Sequence, residues 1–341
     1  MTPALLLFDP AGAGDLECAM PAPRVLFVKL SSLGDVIHHF PAVSDLRSRR
    51  PEIAIDWAVE EAYASLVGLH PAVSRAIPVA LRRLKRGLLA PSAWRALAGA
   101  RRQLRERRYD WIVDTQGLLK SVAVARLARG PLFGYDRRSI RERSAARFYD
   151  QALAVPRSLH AVERNRRLVG AVFGYEPEGP PDYGLAPPGP APAWAPSGAY
   201  VVALHATSRR DKRWPDACWA ELAARLAAEG LAVVYPGGSP TERAGAERLA
   251  SASKGALAAP EMTLPEAAAL LARASAVIGV DTGLAHLAVA LGTPTVGLYV
   301  ATQPGLTGLH GGRDAVNLGG PGKAPTVDEV VRVLLGTAAC A

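Results

Sequence analysis

The chain is poor in cysteine, methionine and aromatic residues. Three of its 341 residues are cysteines (Cys18, Cys218 and Cys340), and they form neither a CxxC pair nor a cluster with histidine. This scatter argues against a structural zinc site and indicates a reducing compartment. No run of about 18 apolar residues occurs, which predicts that no segment spans a membrane.

The first 22 residues contain acidic side chains but no basic one. A secretory signal begins with the opposite charge, so this segment does not fit that class. We expect residues 1–22 to be a disordered or mis-started leader and assign them no role.

The positive charge of the chain is unevenly placed. The net charge is +9, and residues 1–180 hold 28 Lys and Arg against 18 Asp and Glu, a balance of +10. The first half is therefore expected to meet an anionic partner: a phosphorylated lipid, a membrane surface or nucleic acid. The alternative is that the Arg-rich and Ala-rich composition reflects the GC content of the genome and has no function.

Alternating strand and helix patterns predict an α/β fold of about two domains, with parallel sheets covered on both faces. The strands predicted in the first half span residues 24–29, 53–59, 72–79, 111–114 and 132–135, and the helices lie near 36–49, 94–108 and 118–129. In the second half the strands span 200–205, 232–235, 277–280 and 295–298, and the helices lie near 215–229, 241–252, 264–274, 284–291 and 327–335.

A Pro/Gly-rich passage separates the two series. Its proline density excludes a helix or a central strand, so we interpret it as the interdomain linker. The predicted boundaries are 23–175 for an N-terminal Rossmann-like domain, 176–198 for the linker and 199–341 for a C-terminal Rossmann-like domain. The last helix is a candidate to pack back on the N-terminal domain.

Asp35 ends a Ser-Ser-Leu-Gly-Asp turn that follows the first predicted strand. Ligands of open α/β sheets bind at the carboxyl ends of the strands, and a carboxylate there can deprotonate a sugar hydroxyl. The alternative role for Asp35 is to cap the following helix.

Two loops of the second half carry groups suited to a nucleotide. Thr207 and Ser208 precede Lys212 after one strand, and hydroxyls with a lysine suit a diphosphate. The alternative is a solvated loop with a capping hydroxyl. Glu242 follows the next strand and could accept from a ribose hydroxyl, although alone it is a first-turn glutamate.

The strongest cluster is Asp281-Thr282-Gly283 with His286, at the end of a strand and the start of a helix. Backbone N–H groups at a helix start, with the helix dipole behind them, stabilise a departing diphosphate. For His286, contact with a ligand in this site and burial in the core on an apolar helix face are about equally compatible with the sequence.

The run Arg82-Arg83-Leu84-Lys85-Arg86, together with Arg137, Arg138 and Arg141, predicts an anion-binding face. Nucleic acid is the rival ligand, but stacking aromatics are few in this region and no helix-turn-helix, RRM or OB pattern appears. Part of the adjoining segment, 94–108, fits a solvated helix face.

Taken together, these segments resemble the lipopolysaccharide heptosyltransferase family, inverting glycosyltransferases of the GT-B fold. The resemblance extends from Arg24 to about Leu335. It rests on RVLFVKLSSLGDVIHHFPA, DWAVEE, IPVALRRLKR, DTQGLLKS, HAVER, HATSRRDKRWP, PEMTL and VDTGLAHLAVAL, in that order. HATSRRDK favours the branch that adds the first heptose over a sibling that adds a later one. A non-catalytic anion- or nucleic-acid-binding protein remains the remote alternative.

The resemblance implies an ADP-L-glycero-D-manno-heptose donor and a Kdo2-lipid A acceptor. The two would meet at the cytoplasmic face of the inner membrane, with the protein attached peripherally to anionic lipid. No resident cofactor, no metal and no nucleic acid is implied, and no DxD-type metal site is found.

The family also implies roles for individual residues. Asp35 would be the general base, and the N-terminal domain would bind the acceptor. Ser208 stands where the family can show threonine. The implied donor contacts are Thr207, Ser208 and Lys212 with Thr282 and Gly283 at the phosphates, Glu242 at the ribose, Met262 at the adenine, and Asp281 and His286 at the heptose or its phosphates. Arg82, Arg83, Lys85, Arg86 and Arg141 would bind acceptor phosphates and carboxylates.

Overall fold

A computed structural model of the chain describes residues 22–86, 91–186, 188–207, 209–312 and 314–338. Apart from Ala22, the predicted leader lies outside these ranges, and so does Ser208. The side chains of Lys85 and Arg86 also lie outside the described part.

The N-terminal domain is built on a sheet of six parallel strands in the order β3-β2-β1-β4-β5-β6. The strands are β1 Arg24–Val28, β2 Ala54–Glu60, β3 Val73–Val79, β4 Trp111–Asp114, β5 Leu132–Tyr135 and β6 Gln151–Leu153. The helices are α1 Leu33–Ile37, α2 Phe40–Arg49, α3 Ala64–Val67, α4 Leu81–Arg86, α5 Pro91–Arg105, α6 Leu119–Ala125 and α7 Ala161–Phe173.

The C-terminal domain repeats this architecture, with six parallel strands in the order β12-β11-β10-β7-β8-β9. The strands are β7 Tyr200–Leu204, β8 Ala232–Tyr235, β9 Ala256–Ala258, β10 Ala276–Val280, β11 Thr295–Tyr299 and β12 Ala315–Gly319. The helices are α8 Asp216–Ala228, α9 Pro240–Ser251, α10 Leu264–Ala272, α11 Gly283–Ala290, α12 Pro304–Thr307 and α13 Val327–Ala338. The predicted α/β class and the two-domain arrangement are confirmed.

The single helix predicted over 36–49 is wrong in detail, because it is two helices. The chain turns at His38 and His39, and α2 begins at Phe40 with Pro41 in its first turn. Proline has no N–H to continue the hydrogen bonds of α1, so a new helix begins there. Asp35 consequently lies in a short separate helix at the edge of the sheet.

Four other elements have a weak sequence signal. Strands β6, β9 and β12 are edge strands whose residues are largely not fully buried, so their apolar pattern is faint. Helix α7 buries Asn165 and Arg166 alongside its apolar residues. Polar residues on the buried face hide the helical periodicity from the sequence.

The two domains share a hydrophobic core. Residues on alternate sides of β7 separate into two clusters: Val202 and Leu204 belong to the core that extends into the N-terminal domain, and Val201 and Ala203 to the core on the other face of the C-terminal sheet. This alternation is the period-2 pattern of a strand buried on both faces.

The Pro/Gly-rich linker contains no helix or strand among its described residues. It nevertheless packs on both domains, since Ala186 N donates to Leu69 O and the Tyr183 hydroxyl donates to His310 O. The last helix contacts α8 and β11 of the C-terminal domain. Its buried side chains Val327, Val330 and Leu334 lie in the C-terminal core.

Candidate active site

Asp35 lies at the carboxyl edge of the N-terminal sheet, in the first turn of α1. Its Oδ2 accepts a hydrogen bond from Ser32 N at 3.0 Å, and its Oδ1 lies 3.5 Å from Arg141 Nη1. The side chain is 24% exposed. Asp35 therefore caps the helix, which is the alternative role predicted for it, and also presents its carboxylate to the space between the domains.

The loop that precedes Asp35 is hydrogen-bonded to the side chain of Gln116, which follows β4. Gln116 Oε1 accepts from Leu30 N at 2.9 Å and from Ser31 N at 3.1 Å, and its amide nitrogen donates to Ser31 O. Lys120 Nζ donates to the Ser31 hydroxyl at 3.0 Å. These bonds fix the path of the backbone ahead of Asp35.

Across the cleft, α11 begins at Gly283 with Thr282 as its N-cap residue. The Thr282 side chain makes no capping hydrogen bond. Gly283 lies so close to α1 that a Cβ there would be 2.8 Å from Leu33 Cβ. The start of α11 thus lies close to α1, the helix that carries Asp35, and offers N–H groups suited to an anion.

Lys212 and Asp281 form an ion pair at the C-terminal wall of the cleft. Lys212 Nζ lies 2.6 Å from Asp281 Oδ2, and both side chains are largely buried. The Thr302 hydroxyl donates to the same oxygen at 2.9 Å, and the Thr207 hydroxyl donates to Asp281 O at 3.3 Å. The loops after β7, β10 and β11 therefore converge on one polar cluster.

Glu242 lies in the first turn of α9, where its Oε2 accepts from Gly238 N and Ser239 N, both at 2.9 Å. It therefore closes a capping box with Ser239 and also lines the cleft. Met262 lines the same part of the cleft and packs against the shared core.

His286 is buried under the cleft floor and contacts the other domain. Its Nδ1 lies 3.3 Å from His38 Nε2, and its ring is perpendicular to the His38 ring. Burial lowers the pKa of His286 to about 4, against the opposing effect of Asp281 and Asp35. The imidazole is therefore neutral near pH 7 and acts through hydrogen bonds.

The predicted anion-binding run divides in the structure. Arg82 lines the cleft and donates to the Tyr63 hydroxyl at 2.7 Å, with its guanidinium over the Tyr63 ring. Arg83 instead pairs with both carboxylate oxygens of Glu61 at 2.7 and 3.2 Å. Arg141 also lines the cleft, with its Nη1 3.5 Å from Asp35 Oδ1.

The cleft between the domains has a volume of about 930 Å³. Most of the site residues predicted from the sequence line this cleft. Arg83 is predicted as well but does not line it. Those that line it are Asp35, Arg82, Arg141, Thr207, Lys212, Glu242, Met262, Asp281, Thr282, Gly283 and His286.

Several polar residues near Asp35 were not predicted from the sequence. Lys29 and Gln116 were visible in the RVLFVK and DTQG segments but had no assigned role. Asn165 accepts from Lys29 Nζ at 3.2 Å and donates to His38 O at 2.9 Å. Thr302 follows β11 without a motif, so only its contact with Asp281 identifies it.

Among the described residues, no set of three or more His, Cys, Asp or Glu side chains is placed to hold a metal ion. Over the same part of the chain, none of the helices has the length and apolar character needed to cross a bilayer.

Comparison with known proteins gives a family match over residues 97–333, to glycosyltransferase family 9 (heptosyltransferase). Lipopolysaccharide heptosyltransferase 1 of Pseudomonas aeruginosa is 46% identical over 301 residues, 87% of this chain and 83% of that protein. Lipopolysaccharide heptosyltransferase 2 of Salmonella typhimurium is 28% identical, over 83% of this chain and 84% of that protein.

The structure is similar to that of the E. coli heptosyltransferase WaaC solved with ADP. The TM-score is 0.84 at 37% sequence identity, covering 92% of this chain and 99% of that chain. The E. coli protein has also been solved with ADP-2-deoxy-2-fluoro heptose, and that structure matches with a TM-score of 0.80 over the same coverage.

Proposed function

The chain belongs to glycosyltransferase family 9, the heptosyltransferases, and from this membership we propose that it transfers heptose from ADP-L-glycero-D-manno-heptose to Kdo of Kdo2-lipid A. The reaction would be a step of lipopolysaccharide inner-core synthesis. One observation carries the proposal: Asp35 and the Lys212–Asp281 cluster line the same cleft from opposite domains. No metal or resident cofactor has a role in it.

In this proposal the C-terminal wall binds the donor. The diphosphate lies against Lys212, the Thr207 hydroxyl and the N–H groups at the start of α11, which meet the charge of the leaving group as it develops. Ser208, outside the described residues, keeps its predicted role as a second hydroxyl donor to the diphosphate. Glu242 and Met262 hold the ribose and the adenine. Asp281 accepts from heptose hydroxyls, because a carboxylate is an acceptor and a sugar hydroxyl is a donor. Its ion pair with Lys212 offsets its charge near the diphosphate.

Asp35 acts as the general base on the acceptor hydroxyl. The acceptor oxygen attacks the anomeric carbon from the face opposite the diphosphate, so the configuration at that carbon inverts. Neutral His286 supports the contact between α1 and α11, and Arg141 orients the Asp35 carboxylate and holds an acidic group of the acceptor.

The excess of positive charge in residues 1–180 supports a peripheral, electrostatic contact with an anionic membrane surface. We place this contact on the cytoplasmic face of the inner membrane, with Arg82 and Arg83 of α4 among the groups that make it. Lys85 and Arg86 keep their predicted role in binding acceptor phosphates. The phosphates of the lipid acceptor would approach along this face.

The test is transfer from ADP-heptose to Kdo2-lipid A by the wild type, Asp35→Ala and Asp35→Asn at matched folding. Loss of turnover in both variants, with ADP-heptose still bound, supports the reaction and the base together. Full activity of Asp35→Asn, which keeps the shape but not the basicity, would leave Asp35 as a helix cap. Turnover by the wild type only on an already heptosylated acceptor would assign the chain to a sibling reaction.

A further inference from the structure

Asp114, the last residue of β4, is a fully buried carboxylate that the proposed reaction does not use, and it does not line the cleft. Its Oδ1 accepts from Gln116 N at 2.9 Å and from Gly117 N at 3.2 Å. Its Oδ2 accepts from the hydroxyls of Ser121 at 2.8 Å and Tyr149 at 2.9 Å. Burial raises the pKa of Asp114, and these hydrogen bonds oppose that rise. A carboxylate is costly to bury unless such bonds satisfy it, so the four donors are fixed around it.

The turn that follows Asp114 is held on several sides. Gly117 has a φ of +70°, and a Cβ there would lie 2.9 Å from Ile140 Cγ1, so the turn has no room for a side chain at this position. Ser121 also closes the start of α6, where its hydroxyl accepts from Leu118 N at 3.1 Å. On the other side, Gly134 of β5 leaves space for the Tyr149 ring, which a Cβ at Gly134 would overlap. The position of the turn is therefore set from β5 and α6 as well as from β4.

Gln116 connects this turn to the loop that precedes Asp35. Strands β1 and β4 are neighbours, with Val28 opposite Asp114, so the two strand ends lie side by side. The Gln116 side chain is 2% exposed and makes three hydrogen bonds to the backbone of residues 30 and 31. The next residue is Ser32, whose N–H donates to Asp35 Oδ2. A continuous series of hydrogen bonds thus runs from Asp114 through Gln116 to the Asp35 carboxylate.

We propose that Asp114 is a positioning residue for the general base: through Gln116 it holds residues 30–32, and so keeps the Asp35 carboxylate at the acceptor hydroxyl. The inference rests on the proposed function and adds to it the residues that place its base. A base must lie within about 2.6–3.2 Å of the group whose proton it takes. Without Gln116, two buried backbone N–H groups lose their acceptor, and the loop must move to pair them again.

The experiment measures kcat for heptose transfer to Kdo2-lipid A by the wild type, Gln116→Met and Tyr149→Phe, each also in an Asp35→Asn background. Gln116→Met should lower kcat about ten- to a hundredfold, since a misplacement approaching 1 Å costs up to about that much. The KM for ADP-heptose should change by less than about threefold. Tyr149→Phe removes one of the four bonds to Asp114 and should lower kcat by about two- to tenfold.

The Asp35→Asn background distinguishes positioning from a general structural effect. Once the base is absent its position no longer matters, so Gln116→Met should change the residual kcat of Asp35→Asn by less than about threefold. An equal loss in both backgrounds would overturn the proposal, because damage to the fold adds to the loss of the base.

Substitution of Asp114 itself tests whether its hydrogen bonds act as proposed. In Asp114→Asn the oxygen can still accept from the two backbone N–H groups, and the amide can donate to the two hydroxyls, which accept as well as donate. This variant should therefore keep kcat within about threefold of the wild type. Asp114→Leu removes all four bonds and should lose as much as Gln116→Met; if it does not fold, Gln116→Met decides. A tenfold loss in Asp114→Asn would overturn the proposal.

Asn317→Leu is the matched control. Asn317 makes the same kind of paired bonds to a loop backbone, accepting from Leu309 N and donating to Leu309 O, both at 2.9 Å. It does not line the cleft, so its substitution should leave kcat within about threefold. Equal losses of kcat in Asn317→Leu and Gln116→Met would contradict a role specific to the base.

Amide hydrogen exchange separates this inference from the proposed reaction. In Gln116→Met the amides of Leu30 and Ser31 should exchange at least about tenfold faster. The amide of Lys29, which donates to Ala58 O, is the internal reference and should not change. Faster exchange without heptose transfer by the wild type would leave the role of Gln116 in the loop standing while the proposed function failed. Transfer by the wild type, with unchanged exchange and kcat in Gln116→Met, would do the reverse.

Discussion

The contact between Gly283 and Leu33 leads to the sharpest prediction for activity. A Cβ added at Gly283 would lie 2.8 Å from both Cβ and Cγ of Leu33, which are close to the backbone and cannot swing away. To restore even a tight 3.4 Å contact, α1 and α11 must separate by about 0.6 Å. Because these helices carry Asp35 and the predicted phosphate-binding N–H groups, Gly283→Ala changes the distance between base and donor.

Overpacking of this kind costs about 1–3 kcal/mol, and a misplacement approaching 1 Å can cost up to about a hundredfold in rate. We therefore expect Gly283→Ala to lower kcat/KM by roughly ten- to a hundredfold, with ADP affinity changed by less than about threefold. Gly34→Ala, whose Cβ would lie 3.3 Å from His286 Cδ2, should have a milder effect.

The assay is heptose transfer at saturating and limiting donor, with ADP affinity measured by calorimetry. Gly99→Ala on α5 is the control, because a Cβ there meets nothing within 4 Å. Adding Leu33→Ala to Gly283→Ala should recover part of the activity, since it removes Cγ but leaves Cβ. Wild-type kcat/KM in Gly283→Ala, or an equal loss in Gly99→Ala, would refute the reasoning.

Three further predictions concern binding and stability. Lys212→Met should raise the KM for ADP-heptose at least about tenfold in steady-state kinetics, because it removes a charged phosphate ligand; an unchanged KM would contradict the donor site. Arg166 is buried and paired with Asp45 at 2.8 Å. The substitution Arg166→Met should therefore lower the free energy of unfolding, measured in urea, by about 3 kcal/mol. Burial lowers the pKa of His160 and His286 to about 4 from 6.5, so the unfolded chain takes up protons first as pH falls. The free energy of unfolding should therefore decrease between pH 6.5 and 4, by about 2 kcal/mol per histidine at pH 5; equal unfolding midpoints at pH 7 and pH 5 would exclude this effect.

Local spacing was enough to predict the framework of the site. A β-rich run followed by small and polar residues places Asp35 and the Asp281–His286 segment at strand ends, because parallel strands deliver their carboxyl ends to one edge of a sheet. The same reasoning could not separate two uses of one residue. Asp35 and Glu242 both close capping boxes and both line the cleft, so the alternatives weighed for them were never exclusive.

The alternation of strands and helices, the polar turns after the strands and the positive charge of the first half can be predicted from the chain alone, because each depends on neighbouring residues or on composition. Which side chains meet depends on the folded structure. Hydrogen bonds join Lys212 to Asp281, Lys29 to Asn165 and His38 to His286. These partners lie 69, 136 and 248 residues apart in the sequence. Such pairs leave no periodic trace in the chain, since they depend on how two separately built sheets pack against each other.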